Sequence, residues 1–295
     1  MRLHDLQKNW DLIIIGGGIT GAGILREAAR MSLKAILLEQ KDFAWGTSSR
    51  SSKLVHGGLR YIKEGQLMMT KTAVEERDRL LAEAPGLVET LGFFLPVYEG
   101  QKPGKGSLKV GLTIYDIMGH KRKHRFLGAA ELIEELPYLN PMGLKGGFHY
   151  FDAQVDDSRL VLRLINESIT SGAEALNYTT VTEILRNTAG NVVGVKIKDT
   201  ENHDGKNIYA NAIINATGCW AEKLHPSPES QRYLRPLRGS HLVFPANKLP
   251  IFEGLGFNHP VDNRYVFIVP WEGATLVGST DLDLSLIHIS EPTRL

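Results

Sequence analysis

The chain has 295 residues, 42% of them apolar and 23% charged, which is enough to bury a core for two subdomains or one large domain and excludes disorder as the default. A formal net charge of +1, with HKRKHR at 120–125 as the one dense basic run, lacks the wide basic face of a nucleic-acid binder. The single cysteine, Cys219, excludes an intrachain disulfide or a cysteine-rich metal site and suits a reducing compartment, and neither a run of about 18 apolar residues nor a secretory pattern is present.

Asp11 to Ile15 is a short apolar run suited to a buried parallel strand. Gly16, Gly18 and Gly21 follow at the G-x-G-x-x-G spacing, Ile19 to about Ser32 has a helical period, and Lys34 to Leu38 reads as a second strand ending at Glu39. Gly16 permits the tight turn, Gly18 lets backbone approach a pyrophosphate, and Gly21 allows close helix–strand packing. The helix N-terminus adds unpaired N–H groups and a partial positive charge. Glu39 can accept two hydrogen bonds from an adenosine ribose and would repel a 2′-phosphate, which disfavours NADP. This order of elements predicts a dinucleotide site without choosing between FAD and NAD.

The next segment tilts that choice. A simple NAD unit continues with another βα repeat, whereas KDFAWGTSSRSSK is polar, rich in hydroxyls and without strand period. Thr47, Ser48, Ser51 and Ser52 can wrap a bulky cofactor with hydrogen bonds, although a solvated serine-rich loop reads the same way. LVHGGLRY follows, Leu54 to Tyr61. Gly57 and Gly58 remove side chains beside His56, so that backbone can lie against a flat ring or a phosphate. Arg60 and Tyr61 then open a helix or turn, offering a cationic fork for a dianion and a phenol.

From Gly65 to about Leu91 a helical period runs on, broken at Pro85, and its apolar positions read as core. Residues 108–119, LKVGLTIYDIMG, precede the basic run. They form either a buried helix on the substrate side or a surface helix whose apolar face and following cations meet anionic lipid. Pro137 to Gly147 is turn-rich and separates this excursion from a returning cofactor domain. Asp156 or Asp157 is a helix N-cap candidate ahead of an apolar period reaching about Ser171.

Asn177 to Ile184 and Val192 to Lys198 alternate as a β-ribbon would, and Ile208 to Ala216 is a strand leading into Thr217 and Gly218. His241 sits in LRGSHLVFP, on or just before an apolar strand, where an imidazole of ordinary pKa near 6.5 can act as a base. A satisfied structural histidine is the alternative. Residues 265–283 read as two strands around a turn at Trp271 to Gly273, suited to an antiparallel sheet. No histidine spacing suggests a metal site.

The blocks GGGITGAG, TSSRSSKLVHGGLRY, FDAQVDDSRLVL, NATGCWA, LRGSHLVFP and FIVPWEGATLVGSTD together resemble the FAD-dependent, quinone-linked glycerol-3-phosphate dehydrogenases, with the glycerol-3-phosphate oxidases as neighbours. The resemblance implies an α/β fold: a Rossmann-like FAD-binding domain of the glutathione-reductase/amino-acid-oxidase type, with an interleaved substrate domain built on a mixed or antiparallel sheet. It makes Gly16, Gly18, Gly21, Glu39, Thr47, Ser48, Ser52, Lys53, Leu54, His56, Gly57, Gly58, Thr217 and Gly218 candidate FAD contacts. His241 is the candidate base, Arg60 the candidate phosphate anchor and Tyr61 a candidate hydrogen-bond donor to substrate or developing oxyanion, with flavin support as the alternative role for Arg60 and Tyr61.

The implied reaction oxidises sn-glycerol 3-phosphate to dihydroxyacetone phosphate by hydride transfer to FAD, with reoxidation by a membrane quinone. An oxidase using O2, a flavin-binding fragment without activity, and a distant amino-acid oxidase are the competing readings. The implied setting is cytoplasmic, on the inner face of the membrane, with peripheral contact to anionic lipid and room for a homodimer. On this reading the FAD-binding parts are 1–84 and 148–235, and the substrate-side parts 85–147 and 236–283. Residues 284–295, LSLIHISEPTRL, depart from the family's continuation and read as a translated adapter tail on a truncated frame. That reading expects weak FAD retention and poor turnover.

Overall fold

The computed structural model describes residues 3, 6–119, 124–224, 234–262, 264–280 and 282–283, apart from the side chains of Arg60, Lys63 and Asp283. The basic residues Lys121, Arg122 and Lys123 and the tail 284–295 therefore lie outside the described residues.

The chain begins with β1 (Asn9–Ile15), α1 (Ile19–Arg30) and β2 (Ala35–Leu38), then passes a 3-10 turn at Thr47–Ser49 to β3 (Leu54–Val55), α2 (Leu59–Lys63) and α3 (Leu67–Glu83). Next come β4 (Val88–Tyr98), α4 (Lys105–Gly119), β5 (Arg125–Leu127), α5 (Ala129–Glu135) and β6 (Leu144–Val155). The chain continues through α6 (Asp157–Thr170), β7 (Glu174–Leu176), β8 (Thr179–Arg186), β9 (Val192–Asp199) and β10 (Gly205–Asn215). A second 3-10 turn, Gly218–Leu224, precedes β11 (Leu237–Arg238), β12 (His241–Pro245), β13 (Gly254–Asn258), β14 (Tyr265–Trp271), β15 (Ala274–Gly278) and β16 (Leu282–Asp283).

Two compact units result. Among the described residues, the first lies within 1–51 and 156–236 with Asp283, and the second within 52–155 and 237–282. The first changeover falls at 51/52, because α2 and α3 pack with the second sheet: Leu59, Ile62 and Val74 join its core.

The first unit is a six-stranded sheet ordered β7-β2-β1-β10-β9-β8, parallel from β7 to β10 and antiparallel beyond. Successive strand residues face opposite sides. Ile13, Ile15, Ile36 and Leu38 accordingly pack against Val195, Ile197 and Ile208 on one face. Leu12, Ile14 and Leu37 meet Leu25 and Ala28 of α1 on the other. Ala22 of α1 packs with Val161 and Ile165 of α6, and Asp156 caps α6 by accepting the Arg159 N–H at 3.0 Å, as its position before the apolar period predicts. The expected β-ribbon is β8 paired with β9.

The second unit is an eight-stranded mixed sheet ordered β12-β15-β14-β13-β4-β6-β3, with β5 also on β6. Most pairs are antiparallel, and β13 runs parallel to β4. One face carries Phe93, Leu95, Phe148 and Tyr150 against Val74 of α3 and Leu112 and Tyr115 of α4. The other carries Phe94, Leu144 and Leu255 against Leu132 and Leu136. The β14–β15 hairpin matches the two strands expected there.

Two local expectations fail. The helical period ends at Glu83, and Val88 to Leu91 open β4, which is buried on both faces and so carries no alternation to mark it as a strand. The turn-rich stretch ends at Gly143, and Gly146 and Gly147 lie inside β6. A side chain at Gly146 would strike the Leu127 carbonyl, and one at Gly147 would lie 2.8 Å from Leu132 Cδ2. These glycines admit β5 and α5; they do not break the strand.

Residues 108–119 fall in α4, which buries Leu112, Tyr115 and Gly119 while leaving Val110 62% and Ile117 69% exposed. The helix thus has one buried and one exposed apolar side. Among the described residues no helix is long and apolar enough to cross a membrane.

Candidate active site

In the first unit the glycine turn does three separate jobs. Gly16 adopts φ +112°, and a Cβ there would lie 2.6 Å from the Ala216 carbonyl oxygen. A Cβ at Gly21 would overlap the Gly16 carbonyl. These two glycines are therefore demanded by the protein's own packing. Gly18 differs: its backbone is extended, and the nearest atom to a Cβ is a side-chain atom, Ser48 Oγ at 3.1 Å.

No side chain caps α1 from Gly18. Ser48 reaches over from the serine loop instead, its Oγ accepting the Ile19 N–H at 2.9 Å. Glu39 closes the turn from below: Oε2 accepts the Gly17 N–H and Oε1 the Lys41 N–H, each at 2.8 Å. Each carboxylate oxygen keeps a second lone pair, so local bonding fixes Glu39 and leaves it able to accept from a ribose. Thr47 opens the 3-10 turn. Ser51 is drawn away to α6, its N–H and hydroxyl donating to Asp157 Oδ2 at 3.1 and 2.6 Å. Thr217 bonds back to the end of its own strand, its N–H and hydroxyl both donating to Asn215 Oδ1. Gly218 has φ +59° with nothing within 4 Å of a Cβ, so its backbone conformation, not crowding by the protein, selects glycine.

In the second unit, His241 opens β12, opposite Gly278 of β15. A Cβ at Gly278 would lie 2.6 Å from His241 Cδ2, so that glycine makes the bed for the imidazole. Ser52 Oγ stands 2.9 Å from His241 Nε2. Partial burial, and after it the nearby Lys53 cation, hold the imidazole below its ordinary pKa of 6.5. Lys53 itself has φ +60°, and its Nζ lies 5.3 Å from the Trp271 ring centre. Leu54 pairs with Gln154 as β3 joins β6.

The HGG segment is built by packing from behind. A Cβ at Gly57 would collide with Tyr115 Oη and Val74, and Gly58, at φ +72°, starts α2 with the Tyr61 ring where its own Cβ would be. Both glycines thus answer first to protein atoms. His56 is exposed and Tyr61 half-buried. Arg60 is the second residue of α2; its side chain lies outside the described part.

The structure brings Ser52, Lys53 and His241 together, and Gly58 with Tyr61. It also holds a group the sequence reading passes over, Arg77, Tyr115 and Asp152, all buried behind Gly57. The available signal was Asp152, an acid in the middle of an apolar strand run, where a charge is retained only with partners.

A family model described as FAD dependent oxidoreductase matches residues 11–294. The aerobic glycerol-3-phosphate dehydrogenase of Bacillus subtilis is 40% identical over 280 residues, 93% of this chain and 50% of that protein. The protein of the same name from Staphylococcus haemolyticus is 35% identical over 279 residues, again 93% and 50%. Among solved structures, the glycerol-3-phosphate dehydrogenase from Bacillus halodurans complexed with FAD superposes with a TM-score of 0.75 at 32% identity, covering 95% of this chain and 49% of that one. Glycine oxidase from Bacillus cereus, at TM-score 0.68 and 18% identity over 94% of this chain and 72% of that one, shares the fold. The chain spans about half the length of the curated relatives it matches. Matched over nearly its whole length, and folded as its relatives are, the chain belongs to the FAD-dependent oxidoreductase family.

Proposed function

We propose that this chain carries the dinucleotide-binding and base-bearing portion of an FAD-dependent enzyme that oxidises sn-glycerol 3-phosphate to dihydroxyacetone phosphate. The observation that carries the proposal is 40% identity over 93% of the chain to a curated enzyme of that name.

The residues present suit the group. Among the three motif glycines, Gly18 is the one whose Cβ would meet a side-chain hydroxyl, Ser48 Oγ at 3.1 Å, and no backbone atom, and it opens a helix whose Ile19 N–H that hydroxyl accepts. That combination suits a pyrophosphate. Glu39, fixed by two backbone N–H groups, accepts the ribose hydroxyls. On the first unit the proposed FAD contacts are completed by Gly16, Gly21, Thr47, Ser48, Thr217 and Gly218; on the second unit, taken by itself, the family resemblance proposes Ser52, Lys53, Leu54, His56, Gly57 and Gly58. FAD, when bound, supplies the two-electron acceptor for the hydride leaving the substrate's secondary carbon.

The protein's part is proton and charge handling. His241, kept neutral by burial and Lys53, takes the hydroxyl proton as the carbon–hydrogen bond breaks. Ser52 holds the ring at Nε2. Arg60 offers a fork to the phosphate dianion, and Tyr61 a donor to the oxygen that becomes the ketone.

The electrons pass to a membrane quinone, reached by peripheral attachment at the inner face of the cytoplasmic membrane. The exposed Val110 and Ile117 of α4 present apolar side chains to lipid. Anaerobic titration of the FAD-loaded chain with sn-glycerol 3-phosphate tests the reaction: the oxidised flavin band bleaches with equimolar ketone formed. A band that stays while FAD remains bound refutes it. Readmitting a quinone or oxygen to the reduced protein then distinguishes dehydrogenase from oxidase, and hydrogen peroxide as the sole product overturns the quinone assignment.

A further inference from the structure

Side chains from two elements distant in sequence accept one backbone N–H, and a third holds both acceptors. Gly57 donates to Tyr115 Oη at 2.8 Å and to Asp152 Oδ1 at 3.2 Å. Tyr115, from α4, donates to Asp152 Oδ2 at 3.0 Å. Arg77, from α3, donates through one terminal nitrogen to Tyr115 Oη at 2.9 Å and to Asp152 Oδ1 at 3.1 Å. Its remaining guanidinium edge is held by Asp78 Oδ1 at 2.9 and 3.0 Å. Exposure is 7% for Arg77, 4% for Asp152 and 2% for Tyr115.

Burying a charged pair with full hydrogen bonding is weak evidence for added stability, since desolvation offsets most of the attraction. What such a network does supply is fixed geometry. Burial pushes the Tyr115 phenol well above its ordinary pKa, with Asp152 adding to the shift, so the hydroxyl stays protonated and keeps donating. The acceptors it leaves over are aimed at a loop amide. Val74 and Tyr115 also fill the space behind Gly57, and Thr70 of α3 stands within hydrogen-bond reach of the Gly58 carbonyl. The peptide so gripped lies between His56 and the first turn of α2, which carries Arg60 and Tyr61.

We infer that Arg77, Tyr115 and Asp152 are positioning residues: through the Gly57 amide they set the placement of His56 and of the α2 start, and with it the affinity for the phosphorylated substrate. This rests on the reading of Arg60 as phosphate anchor. None of the three is asked to touch substrate or cofactor.

Tyr115→Phe is the test, because the ring keeps its packing and only the hydroxyl is removed. Amide exchange at Gly57 should quicken about tenfold, as one hydrogen bond is lost, while exchange at Ile13 in β1 stays unchanged. At saturating FAD, the glycerol 3-phosphate concentration that half-saturates flavin reduction should rise about tenfold. Asp152→Asn, which keeps an oxygen for the Gly57 amide, should quicken its exchange less than Tyr115→Phe. Unchanged Gly57 exchange in Tyr115→Phe overturns the inference, as does quickened exchange with unchanged half-saturation. Should the unaltered chain not be reduced by glycerol 3-phosphate while Gly57 exchange still responds, the proposed reaction falls and the network's hold on the loop stands.

Discussion

Ser52 and His241, 189 positions apart in the chain, meet through a 2.9 Å contact between Oγ and Nε2. The contact fixes the ring plane, and which atom donates is set by the imidazole tautomer. With the ring held and its pKa lowered, His241 is disposed to serve as a base near neutrality.

His241→Asn should lower the rate of flavin reduction by glycerol 3-phosphate by roughly 100- to 10,000-fold, with FAD still bound. Ser52→Ala should lower it by about tenfold, the loss of one orienting hydrogen bond. Stopped-flow reduction of the FAD-loaded chain measures both. A His241→Asn rate within about twofold of the unaltered chain would be far short of a general-base effect and would remove the imidazole from the chemistry.

The pH dependence has a definite sign. Because the folded-state pKa of His241 lies below 6.5, the neutral base persists to lower pH than a free imidazole, and the acid limb of the reduction rate falls below 6.5. The same shift favours the folded state fully above the unfolded value, and that contribution is lost as pH falls through the folded value. Burial is the larger cause and Lys53 the second, so Lys53→Met should move the limb upward without abolishing it. A limb that stays in place in Lys53→Met contradicts the electrostatic part of the account.

Gly21 and Asp156 make predictions about stability. Gly21→Ala drives a methyl into the Gly16 carbonyl, so backbone must move, and the loss should be about 3 kcal/mol. Asp156→Ala removes the cap of α6 and should lose about 1 kcal/mol. Urea denaturation of the chain reads both, and the order of the two losses is the point at issue.

The first strand, turn and helix are legible in the sequence because their signals are local: glycine spacing, an apolar run and an acid at the strand end. The capping of α6 by Asp156 is legible for the same reason. By contrast β4 is hidden, since Phe93 and Phe94 are buried on opposite faces and the run has no alternation. Gly146 and Gly147 mislead, as glycine marks both a turn and a close approach, and only the position of Leu127 and Leu132 tells which. The Ser52–His241 pair and the Arg77–Tyr115–Asp152 group depend on contacts between distant segments, which composition and spacing do not encode.

Gly18 offers the most direct test of the central claim, that an adenine dinucleotide lies across the first strand-to-helix junction. Its backbone is extended and the one close neighbour of a Cβ is the Ser48 hydroxyl at 3.1 Å, which also caps the Ile19 N–H, so Gly18→Ala should cost no more than about 1 kcal/mol of stability, the worth of that cap. The measurement is FAD titration, by flavin fluorescence, of the unaltered chain beside Gly18→Ala. The account predicts FAD uptake by the first and at least about tenfold weaker uptake by the second, a difference of about 1.4 kcal/mol. Equal affinity in the two, or no uptake by either, would contradict it.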